Sequence, residues 1–162
     1  ADPGKKAELF WRERAAERRK TAQPGIPLIL FCDANATIGL AESSAVGEHQ
    51  PECEGPATES FLTFLEQENL ALPSTFSECA IGESQKTFLS AANRETRRDF
   101  VAIPAHWIPV TRTTYLCTGF KTAPTSDNVF ILESSIFNNF RIIHVQFIPN
   151  HLYFCCSFTC SN

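Results

Sequence analysis

Asp33 and Asn35 stand two residues apart where an apolar run stops, in Ile26-Pro-Leu-Ile-Leu-Phe-Cys-Asp-Ala-Asn-Ala-Thr-Ile-Gly39. A carboxylate there can hold a divalent cation or deprotonate a water, and a neighbouring amide can orient that water or a phosphate oxygen without adding charge. In an extended chain, residues two apart point to the same side, and the end of a buried strand commonly faces a crevice. The alternative is an Asx turn that closes the strand. A second acidic group heads an apolar run in Arg97-Arg-Asp99-Phe-Val-Ala-Ile-Pro104. Asp99 can form a structural ion pair with a neighbouring arginine or orient a histidine. His106 follows in Pro-Ala-His-Trp and reads as a surface or satisfied histidine.

These groups need elements to carry them. Lys5–Lys20 has no Gly or Pro and is rich in Ala, Glu, Arg and Lys, which predicts a helix. Its Leu9, Phe10 and Trp11 offer an apolar patch for a sheet; the other reading is a basic arm for nucleic acid. Ile26–Cys32 reads as a buried strand. Thr37–Gly55 reads as a loop, and Glu59–Asn69 as a second helix with Thr58 as N-cap, Phe61, Leu62 and Leu65 on one side, and Asn69 as a left-handed terminator. Leu72–Phe76, Thr87–Ser90 and Phe100–Ile103 are expected to join Ile26–Cys32 in one sheet, with both helices on its outer face. That order describes a layered α/β or α+β domain.

The 162 residues suffice for one domain with a real core. Net charge is −4, but seven of the 14 basic residues precede position 21, and nine acidic residues with no Lys or Arg fill Glu42–Glu83. A uniformly basic nucleic-acid surface is excluded. No run reaches the roughly 18–20 apolar residues of a membrane span, and no signal peptide is visible, so an intracellular protein of cytoplasm or nucleus is expected. Methionine is absent even at position 1, which leads us to expect a fragment, a processed piece or a gene model without its start. The seven cysteines are irregularly spaced and read as free thiols. Cys155, Cys156 and Cys160 lack a second ligand pair for zinc.

After about residue 113 the character changes. Positions 113–162 hold four charged residues (Lys121, Asp127, Glu133, Arg141), half of the 14 Phe and four of the Cys. This Phe/Cys-rich tail has no clean period. Buried strands of the domain, a C-terminal interaction segment, and translated non-coding or frame-shifted sequence are the three readings; we favour the last, because local preference and global pattern agree only before it.

The order Cys32-Asp33-Ala34-Asn35-Ala36, then Phe61–Phe76, then Lys86-Thr87-Phe88, then Arg97-Arg98-Asp99-Phe100-Val101 resembles the C-terminal half of endonuclease/exonuclease/phosphatase domains, nearest to non-LTR retrotransposon endonuclease-like members. The likeness covers roughly residues 5–110. It assigns 1–112 to half of a DNase I-like sandwich with a mainly antiparallel sheet, and leaves 113–162 as a tail foreign to the domain. It implies a Mg²⁺- or Mn²⁺-dependent phosphodiesterase acting on DNA, with self-association through apolar surface left uncovered and no membrane partner. Asp33 would position or deprotonate the attacking water and could touch the metal. Asn35 would hold that water or the scissile phosphate, and Asp99 would orient a catalytic histidine. Thr75 and Thr87 would shape the loops around the site. Two departures follow. The family's metal-binding Glu and phosphate-contacting Asn belong to a half with no counterpart here. Its closing Ser-Asp-His is matched only by Ser126-Asp127-Asn128, and an amide cannot carry the imidazole's proton. A fragment inactive alone is therefore expected. A non-catalytic scaffold and a phosphatase of the same fold are the alternatives.

Overall fold

The structure is a computed structural model that describes residues 2–41, 43–80, 86–90, 92–111, 140–142 and 158–160. It is a mixed α/β arrangement built on a small antiparallel sheet of three strands.

Helix α1 spans Pro3–Thr21. Asp2 caps it by accepting from the Gly4 amide at 3.0 Å, and Pro3 fills the first position, where a missing N–H costs nothing. Arg18, Arg19 and Lys20 sit in the last turn, where cations favour the helix dipole. Of the expected apolar patch only Trp11 is buried; Leu9 and Phe10 are 46% and 49% exposed, and Phe10 lies beneath the Arg14 guanidinium.

Helix α2, Thr58–Gln67, packs Phe61, Phe64 and Leu65 inward. Its N-cap is Ala57, not Thr58. The Thr58 hydroxyl instead donates to the Thr37 carbonyl at 2.7 Å and accepts from the Gly55 amide at 3.0 Å, so it closes the base of the 37–58 loop. Asn69 takes the left-handed conformation expected of a terminator, with φ of 52°.

Strand β1 is Leu30–Asp33, shorter than the apolar run that announces it. Pro27 has no N–H to donate to a ladder, and Ile26 is 58% exposed. Strand β2 is Leu70–Ala71. Leu72–Phe76 does not continue it: Pro73 turns the chain into a 3-10 turn over Pro73–Thr75, and the Leu72 amide goes to the Ala45 carbonyl. Phe88–Leu89 (β3) pairs with Glu95–Thr96 (β4) in a ladder of its own, not with the main sheet. Strand β5, Asp99–Pro104, lies between β1 and β2 and is antiparallel to both. A 3-10 segment, Ala105–Val110, follows it. In the tail, Phe140–Ile142 (β6) pairs antiparallel with Phe158–Cys160 (β7).

The alternation along β5 shows how the sheet is held. Phe100 and Ala102 belong to a core shared with both helices, and Val101 and Ile103 to a second cluster with Phe31, Cys79 and Ile108. An aromatic chain links the layers: Trp11 lies 4.7 Å from Phe61, and Phe61 5.7 Å from Phe100, between ring centroids. Helix position is thereby transmitted to the first residues of β5. Phe61 is 0% exposed, so Phe61→Ala should lower stability by about 3–5 kcal/mol. Leu9→Ala should stay within about 0.5 kcal/mol. Urea unfolding followed by circular dichroism distinguishes the two.

Candidate functional site

Strand β1 ends opposite the start of β5, with Asp33 paired to Asp99. The Ala34 amide donates to the Arg98 carbonyl at 2.8 Å. That bond makes Asp33 and Asp99 a non-hydrogen-bonded pair, the closer of the two antiparallel spacings, with Cα atoms about 4.5 Å apart and side chains on one face. By alternation it is the face of Phe31, Val101 and Ile103, away from α1 and α2. Like charges directly opposite each other destabilise a ladder by roughly 0.2–1 kcal/mol.

Asn35 arrives by a different route from the extended spacing expected of it. Its φ is 47°, and its amide donates to Asp33 Oδ1 at 3.0 Å. The Asx turn and the carboxylate site are thus one feature. The turn occupies one Asp33 oxygen at the strand end. Asp33 and Asn35 are exposed and Asp99 is half-buried.

Thr87 and Thr75 are both buried but serve different places. Thr87 Oγ1 accepts from the amides of Arg98 at 3.0 Å and Asp99 at 3.2 Å, directly behind the carboxylate pair. Thr75 Oγ1 donates to the Leu72 carbonyl and accepts from the Gly47 amide at 2.9 Å. A Cβ on Gly47 would lie 2.4 Å from the Thr75 carbonyl oxygen, so only glycine permits this approach. Asp127, Asn128, His144 and His151 lie outside the described residues. His106 is exposed, as its sequence context suggested.

Two residues at the site were not marked by spacing. Arg97, one of the two arginines that could have paired with Asp99, donates its guanidinium hydrogens to three backbone carbonyls: Ser74 at 2.7 Å, and His49 and Gln50 at 3.2 Å each. Glu52 accepts the Arg97 amide with both carboxylate oxygens, at 3.0 and 3.2 Å, and forms an ion pair with Lys86. Burial pushes the Arg97 guanidinium down to about 10, against the opposing pull of Glu52, and it stays charged at neutral pH. A cavity of about 10 Å³ beside His49, Glu52, Thr75 and Arg97 has room for about one water. It adjoins this clamp, not the carboxylate pair.

Electrostatics mark the same end of the sheet. Burial raises the Cys32 thiol well above its usual range, and the Asp99 and Asp33 carboxylates raise it further. It is therefore protonated and not nucleophilic at neutral pH. Cys32, Cys53 and Cys79 are free thiols, as expected of them. Among the described residues no group of three or more His, Cys, Asp or Glu could hold a metal ion, and no helix is long and apolar enough to cross a membrane. Comparison with family models, with curated proteins and with solved structures gives no match.

Two predictions follow from this geometry. Asp33→Asn keeps the acceptor for the Asx turn but removes one of two opposed charges; in EDTA it should raise stability by roughly 0.2–1 kcal/mol in urea titrations. His49 supplies the second. Its pKa is lowered by burial and then by the Arg97 charge. The folded state therefore resists protonation, and His49's contribution to stability is present above the ordinary histidine pKa of about 6.5 and lost as pH falls below it. Melting curves from pH 7.5 to 5 should show a steeper loss in the native chain than in His49→Gln.

Proposed function

We propose that residues 1–112 form part of a DNase I-like, metal-dependent phosphodiesterase domain that hydrolyses nucleic-acid backbones, and that this chain has little turnover alone. The observation that supports the reading best is the close pair of Asp33 and Asp99 on one sheet face, beside a turn that presents Asn35. The ordered sequence likeness supports it independently.

A divalent cation suits the donor set in part. Magnesium is commonly held by one or two carboxylates and keeps several waters. Asp33 and Asp99 would hold it, and when bound it would supply charge neutralisation and polarise a phosphoryl oxygen. The Asp33 oxygen left over from the Asx turn would touch the cation or accept a proton from an attacking water, one role at a time. Asn35 offers an amide to orient that water or a phosphate oxygen without adding charge. Asp99, held from behind by Thr87, fixes the opposite side of the site.

Among the described residues this set includes no histidine to protonate the leaving oxygen and no third carboxylate for a metal. Loss of one such electrostatic group commonly costs about 10²–10³ in rate. The purified chain, given Mg²⁺ and supercoiled plasmid, should therefore nick no faster than buffer. Asn128→His alone should not rescue it. Fusion to an upstream half of the resembled family together with Asn128→His should produce nicking, and Asp33→Ala should then abolish it. Mg²⁺-dependent cleavage by the unmodified chain, lost in Asp33→Ala, would overturn the claim of low turnover. A fused, histidine-restored chain that never cleaves would favour a non-catalytic scaffold.

A further inference from the structure

The β1–β5 ladder poses a problem of register. A slip of one residue would turn Asp99 to the opposite face and set Arg98 or Phe100 against Asp33. Register is normally fixed by alternation of apolar and polar side chains. Here alternation is missing, because Phe100, Val101, Ala102 and Ile103 are all buried. An apolar pattern that reads alike on both faces cannot select which residue meets Asp33.

The peptide groups just before the ladder are held by side chains. Arg97 N–H is taken by both oxygens of Glu52. The amides of Arg98 and Asp99 share Thr87 Oγ1. The Arg98 carbonyl receives Ala34 N–H from the end of β1. Glu52 also pairs with Lys86, the neighbour of Thr87, so both acceptors belong to one network. The Arg97 side chain, in a residue 3% exposed, spans the carbonyls of His49, Gln50 and Ser74. It joins the loop that carries Glu52 to the turn that carries Thr75.

Burying such charges is a poor way to gain stability. The desolvation cost of a buried ion pair often matches or exceeds its attraction, and apolar side chains of similar volume frequently serve the fold as well. Buried polar groups of this kind can instead select one arrangement over its neighbours. We propose that Glu52 and Arg97 are positioning residues that set the register of β5 against β1 and thereby hold Asp99 opposite Asp33. The consequence for metal binding rests on the functional reading above; the register claim does not.

The full chain tests both separately. The diagnostic signal is the Hα–Hα nuclear Overhauser contact between Asp33 and Asp99, which only a directly opposed non-hydrogen-bonded pair gives. The second readout is the rise in melting temperature on adding Mg²⁺, which reports a ligand bound by the folded state. Glu52→Ala should abolish the contact and the Mg²⁺ response, and speed amide exchange at Phe100 by about tenfold or more, while Phe61 and Leu65 stay protected. Glu52→Gln retains an acceptor for Arg97 N–H and should keep the contact. If Glu52→Ala does not fold, Arg97→Lys, which keeps the charge but not the fork of donors, should lose the contact. Persistence of the contact in Glu52→Ala, or in Arg97→Lys where that variant replaces it, overturns the proposal. So does loss of the contact only together with protection at Phe61 and Leu65, since that assigns the clamp to general stability. A native chain that shows the contact but no Mg²⁺ response removes the metal reading and leaves the register claim standing.

Discussion

One antiparallel pairing carries the whole site: Asp33 at the end of β1 against Asp99 at the start of β5. It sets two carboxylates on the same face at the closer ladder spacing, where their repulsion works against the sheet. Everything around that pair acts to keep it assembled. Trp11 packs on Phe61 and Phe61 on Phe100, so both helices bear on the residue next to Asp99. Thr87 holds the Asp99 amide from behind, and the Asx turn ends β1 at Asp33.

The two sides of β5 divide the labour. Phe100 and Ala102 face a helical core that supplies apolar burial. Asp99 begins the other series, whose later members Val101 and Ile103 are covered by Cys79 and Ile108. A site on the sheet face away from the helices can present charges to solvent while the helical face remains apolar. The cost is the repulsion of two like charges directly opposite each other in the ladder.

Much of this was legible from local chemistry. The long run without Gly or Pro announced α1, Asn69 announced the end of α2, and the apolar body after Asp99 announced β5. Strand β1 began late because Pro27 cannot join a ladder, and Leu72–Phe76 failed as a strand because Pro73 turns it. Asp33 and Asp99 were expected near each other and are opposed in the ladder; the extended spacing expected of Asn35 does not hold, because its backbone is left-handed. Glu52 and the carbonyl-binding role of Arg97 were hidden because they act across 23 to 48 residues of sequence. No pattern of local periodicity encodes that separation. Thr58 misled for a related reason: its hydroxyl satisfies a loop 21 residues away in preference to its own helix.

The central proposal is that the Asp33–Asp99 pair faces a cation, and the most direct measurement is a titration of the ¹⁵N-labelled full chain with Mn²⁺. Paramagnetic broadening should appear first at the amides of Asp33, Ala34, Asn35, Arg98 and Asp99. It should vanish from them in the chain carrying Asp33→Asn and Asp99→Asn together. Broadening centred instead on the acidic stretch from Glu42 to Glu83, or unchanged by the double substitution, would contradict it.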